Sequence, residues 1–63
     1  MNDQTKRIAK LIAANMTQQN PMLELCDGSD GRAIGVYDDY DNKFYDCEEV
    51  AEVVIKAMQE PAE

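Results

Sequence analysis

The chain has 63 residues, with 13 acidic and 6 basic side chains, no histidine and a formal net charge of −7. A chain shorter than roughly 70–80 residues builds one small core, so a single acidic domain over 1–63 is expected, frayed at 1–2 and 61–63. The acidic excess argues against direct nucleic-acid binding, which draws on clustered Lys and Arg, and against anionic membrane surfaces.

At 44% hydrophobic, the sequence holds more core material than a disordered acidic tail would. No apolar run reaches the roughly 20 residues that span a bilayer, and Lys10 breaks the short run 8–14. A cytoplasmic chain is expected, with Cys26 and Cys47 as reduced thiols rather than a disulfide framework.

The spacing predicts a first helix over 3–18. Ile8, Leu11, Ile12 and Met16 fall on one stripe with Ala9 and Ala13 at its flank, and Lys6, Lys10 and Thr17 on the other side. Asp3 suits the N-terminal cap, and Asn20-Pro21 ends the helix because the residue before proline leaves the α region. Residues 22–26 alternate as a strand, with Leu23 and Leu25 on one face and Met22, Glu24 and Cys26 on the other. Two Asp-Gly steps at 27–31 supply the positive-φ positions of a connection. A second strand over 33–37 turns Ile34 and Val36 inward. After a polar turn at 38–42, a third strand over 43–45 makes Phe44 its core residue.

The last helix is predicted over 47–59. Asp46 stands three residues before Glu49 in a capping-box pattern, and Tyr45 and Val50 form a hydrophobic staple. Val50, Val53, Val54, Ala57 and Met58 make one face; Glu48, Glu52, Lys56 and Gln59 make the other. Pro61 stops the helix. The fold expected is α+β, a helix, a three-stranded antiparallel meander and a helix, with both helices on one face of the sheet. That face carries Leu23, Leu25, Ile34, Val36 and Phe44. Met22, Cys26, Gly35, Tyr37 and Tyr45 are left to the open face.

Charge is unevenly spread. Lys6, Arg7 and Lys10 against Asp3 give residues 1–20 a charge of +2, and residues 21–63 carry −9. The densest stretch, 38–52, sets Asp38, Asp39, Asp41, Asp46, Glu48, Glu49 and Glu52 against Lys43 alone. Asymmetry of this kind speaks to partners rather than to fold.

Catalysis finds little support. Without histidine, Ser29, Cys26 and Cys47 lack the usual base, and Asp46 and Glu48 oppose a thiolate at Cys47. Gly28 and Gly31 lack the lysine and following helix of a phosphate cradle. A twelve-residue count from Asp38 puts Asn42, Asp46 and Glu49 at calcium-ligand positions, but Tyr40 and Lys43 occupy positions that need a ligand and a glycine. Two cysteines are too few ligands for zinc. No catalytic residue, dedicated metal site or cofactor is therefore expected.

The reading that remains is a non-enzymatic interaction module, a small regulator or inhibitor that binds a basic surface of a partner protein. Tyr40 is its anchor, Asp38, Asp39, Asp41, Glu48, Glu49 and Glu52 its electrostatic footprint, and Tyr37 lies beside them. A nucleic-acid-binding protein is one such partner, since carboxylates at this density imitate a phosphate backbone. In size and charge the chain is similar to small acidic proteins of phages and mobile elements, a likeness of composition alone. The rival reading is a homodimeric structural or regulatory domain associating through the open sheet face or the apolar helix stripes. A weak calcium- or thiol-dependent protein is the third.

Overall fold

The chain folds in the order α1 (Asp3–Gln19), β1 (Leu23–Cys26), β2 (Gly35–Asp38), β3 (Lys43–Asp46) and α2 (Cys47–Gln59). The structure is a computed structural model that describes residues 3–29 and 31–59. The expected fraying at 1–2 and 61–63, and the stop at Pro61, lie outside those residues. The strands form an antiparallel meander in the order β1-β2-β3, and both helices pack on one face of it, as the sequence predicts.

Helix α1 ends where expected, and Asn20 is the reason. Its amide still donates to the Met16 carbonyl at 3.0 Å, while its side-chain oxygen accepts from the Met22 amide and its carbonyl from the Leu23 amide. The chain thus turns directly into β1. At the other end of the sheet Asp46 caps α2, its Oδ1 accepting from the Glu48 amide at 2.9 Å and the Glu49 amide at 3.1 Å. These bonds satisfy amides that a helix start leaves without intrahelical acceptors.

The inward faces differ from the sequence reading in three places. In α1 the innermost side chains are Thr5, Ala9 and Ala13, with Ile8, Ile12 and Met16 packed beside them, and Leu11 is 67% exposed. In α2 they are Cys47, Glu48 and Ala51, while Val50, Val53, Val54 and Met58 are left exposed. Small residues explain both rotations. Ala9, Ala13 and Ala51 belong to one buried cluster, and alanine at a crossing lets two helix backbones approach closely, which larger side chains would prevent.

The third difference is Phe44. Hairpin register pairs Val36 with Tyr45 and Tyr37 with Phe44, so Tyr45 shares the helix-side face with Leu23, Leu25 and Val36. Phe44 lies on the open face with Glu24, Cys26, Gly35, Tyr37 and Asp46. The four-residue turn 39–42 sets this parity, and moving one residue along a strand exchanges its faces. The Phe44 ring covers Gly35 so closely that a Cβ there would come within 2.8 Å of it and run into the Tyr45 carbonyl oxygen.

A two-way link fastens α2 to the start of β2. The Ile34 carbonyl accepts from the Cys47 amide at 3.0 Å and the Glu48 amide at 3.2 Å. In return, the Glu48 carboxylate accepts from the Ile34 amide at 2.6 Å.

Candidate functional site

The β2–β3 turn presents the anchor chosen from the sequence. Asp38 is half-buried, and its Oδ1 accepts from the Tyr40 amide at 2.9 Å and the Asp41 amide at 3.1 Å. Asn42 closes the turn in the left-handed region at φ 57°, a conformation asparagine tolerates better than most residues. The Tyr37 hydroxyl donates to the Asn42 side-chain oxygen. Held this way, the turn projects Tyr40 with 82% of its surface exposed, between the exposed carboxylates of Asp39 and Asp41.

The predicted footprint does not stay together. Asp38 and Asp46 sit at opposite ends of the β2–β3 ladder, roughly 10 Å apart at strand rise. Glu49 and Glu52 are exposed on α2, at the far end of β3 from the turn. Glu48 is 8% exposed and occupied by the Ile34 amide, so it belongs to the fold and not to an outward acidic face. The same placement removes the calcium-loop reading: Asp38 holds its turn, Asp46 caps α2, and β3 keeps them apart. Among the described residues no group of three or more Cys, Asp or Glu is placed to hold a metal ion.

Two concave regions were not foreseen. An apolar groove of about 420 Å³ runs where the edge of β3 meets the helices, lined by Met16, Phe44, Tyr45, Cys47, Val50 and Val53, with Asp46 and Glu49 at its margin. Tyr45 and Val50, the expected staple pair, both line it. A smaller, polar concavity of about 260 Å³ on another side is lined by Lys6, Lys10 and Arg32 together with Asp27 and Glu48. The sequence signal for the groove was present in α2. At 100° per residue its apolar side chains from Val53 round to Ile55 span about 200°, twice what one packed neighbour covers.

Neither cysteine is in a disulfide; Cys26 is half-buried and Cys47 is buried. Burial pushes the Cys47 thiol above its ordinary value, and the charges of Asp46 and Cys26 push the same way. Asp27 is shifted the other way. Hydrogen bonds from the Ser29 side chain and amide hold its carboxyl below the usual range, with a smaller contribution from the charge of Lys10.

Among the described residues, no helix is long and apolar enough to cross a membrane. No known protein family, curated protein or solved structure matches the chain.

Proposed function

We propose that this chain is a non-enzymatic interaction module that docks its acidic β2–β3 turn onto a basic surface of a partner protein. The observation that carries the reading is Tyr40, an aromatic side chain 82% exposed on a turn held by the Asp38 carboxylate. An exposed tyrosine on a preorganised loop loses little conformational freedom on docking, and tyrosine is enriched among binding hot spots. Asp39 and Asp41 beside it supply the field that steers a basic partner. The absence of histidine from the sequence and the buried, protonated Cys47 thiol both favour a role without catalysis.

Imitation of a nucleic-acid backbone has less support than simple charge pairing. Asp38, Asp46 and Glu48 are engaged with backbone amides, which leaves Asp39, Asp41, Glu49 and Glu52 as separate exposed charges rather than a continuous row.

The test is capture of partners on the immobilised chain at low and high salt, repeated with Tyr40→Ala and with Asp39→Lys/Asp41→Lys. A partner bound through the turn is released by salt and missed by the double lysine variant. It is weakened about 30-fold by Tyr40→Ala, the effect of losing one hot spot. Capture that ignores salt and all three substitutions refutes the reading.

A further inference from the structure

We propose that an extended segment of a partner protein adds to the free edge of β3 as a fourth strand. It seats an apolar side chain in the groove beside that edge and sets a Lys or Arg against Asp46 and Glu49. This contact is independent of the docking of Tyr40, which lies beyond the other end of β3.

β3 is the strand that the helices leave uncovered. α1 lies over β1 and β2, and α2 touches β2, while Lys43, Phe44 and Tyr45 are all exposed. The ladder shows which of its backbone groups are in use. The bond from the Cys47 amide to the Ile34 carbonyl makes Gly35 and Asp46 a non-hydrogen-bonded pair, so Val36–Tyr45 and Asp38–Lys43 are the pairs that exchange bonds. The amides of Phe44 and Asp46 and the Phe44 carbonyl therefore point away from β2, on the side where the sheet has no further strand. A row of this kind is met by the main chain of an added strand.

The groove makes this edge selective. Its walls include Phe44 from the open face and Tyr45 from the helix-side face, so it wraps the edge itself, and Met16, Val50 and Val53 continue it toward the helices. A side chain of the added strand that points to the helix side enters it. Charge narrows the occupant further. Asp46 and Glu49 stand at the groove's margin and Lys43 at the turn end of the strand, so the segment carries its basic residue toward α2. A second copy of the chain fits this edge poorly. Only residues with outward groups meet as bonded pairs, so two β3 edges paired antiparallel set Phe44 or Asp46 opposite Phe44 or Asp46. Lys43 then never falls opposite Asp46 of the other copy.

Selection of displayed random peptides of about eight residues on the folded full chain tests the proposal. The expected binders alternate apolar and polar residues and carry Lys or Arg near one end. One of them, synthesised and titrated into the isotope-labelled chain, shifts the Phe44 and Asp46 amide resonances and slows their exchange with solvent. Methylating the peptide nitrogen that meets Phe44 weakens binding about 10-fold, the effect of one lost hydrogen bond. Glu49→Lys, its folding confirmed by circular dichroism, weakens binding about 10-fold, and a peptide with Glu in place of its basic residue restores it. A library that yields no binder overturns the proposal. So do binders that shift the Leu25 amide on the β1 edge instead, or that tolerate methylation at every nitrogen. A dimer in sedimentation whose Phe44 amide is already protected overturns it as well, since a second copy then holds the edge.

Discussion

Substitution of Glu48 separates a structural carboxylate from an electrostatic one. The side chain is 8% exposed and accepts from the Ile34 amide at 2.6 Å, completing the link between α2 and β2. In Glu48→Ala that amide loses its acceptor in a buried position. A hydrogen bond to a charged group contributes about 1.5–3 kcal/mol, and an orphaned buried donor costs about 1–3 kcal/mol, so a net loss of about 2–3 kcal/mol is expected. A 63-residue domain has about 3–9 kcal/mol in total, which makes this a large fraction of its stability. In a domain of this size each kcal/mol moves Tm by about 4–8 °C, so Tm falls by about 8–24 °C. Glu48→Gln removes the same charge but keeps an oxygen of the same reach, and it loses only about 1 kcal/mol. Urea titration followed by circular dichroism reads both, as a shifted midpoint at unchanged slope. If Glu48 acted only through its charge, the two variants would be alike. Equal losses, or an alanine variant as stable as the parent chain, would refute the structural assignment.

Gly35→Ala forces a Cβ against the Tyr45 carbonyl and the Phe44 ring, and it is expected to cost at least the ~1–3 kcal/mol of an overpacked core. Gly31→Ala meets open space and costs only the strain of its φ of 88°, about 1 kcal/mol, so the urea midpoint of the Gly35 variant falls further. In mildly alkaline buffer an aromatic disulfide reagent modifies Cys26 first and Cys47 only as the domain opens; equal native rates would contradict the burial of Cys47. Folding raises the Cys47 thiol, so the folded state holds its proton longer. The resulting loss of stability begins as pH rises past the unfolded value near 9.0. For Asp27 the sign reverses: its contribution is present above 3.8 and lost as pH falls through the depressed folded value. Ser29→Ala moves the Asp27 midpoint, read by NMR titration, back toward 3.8, and an unchanged midpoint excludes Ser29 as the cause.

Element type and order were legible in the sequence because each boundary carries a local signal that the fold uses directly. Asn20 turns the chain out of α1, the Asp38 carboxylate shapes the second turn, and Asp46 caps α2. What the sequence hid was which side of each element meets the others. In α2 the apolar arc is wide enough to be buried by either half, and a hydropathy pattern does not favour Ala51 and Cys47 over Val53 and Val54. Helix proximity decided in favour of the small residues. Phe44 escaped for a similar reason, since the turn length sets the parity of β3 while Phe44 and Tyr45 are both suited to a core. The acidic footprint was legible as a density of charge. Its division among a turn, a helix face and a buried link was not, because carboxylates read alike until their amide partners are placed.

The packing of α1 against α2 also governs how the chain comes off the ribosome. Ala9 and Ala51 lie in one cluster but about forty residues apart, so the first helix cannot be completed as a packed element until the last has been made. During that interval α1 is a lone 17-residue helix and the meander is three strands of four residues, each marginal by itself in water. The surface that α1 leaves waiting carries Ile8, Ile12 and Met16 beside Thr5 and the two alanines. A nascent chain of this design keeps those side chains without their packing partners until α2 has emerged, and the two helices close on each other only then.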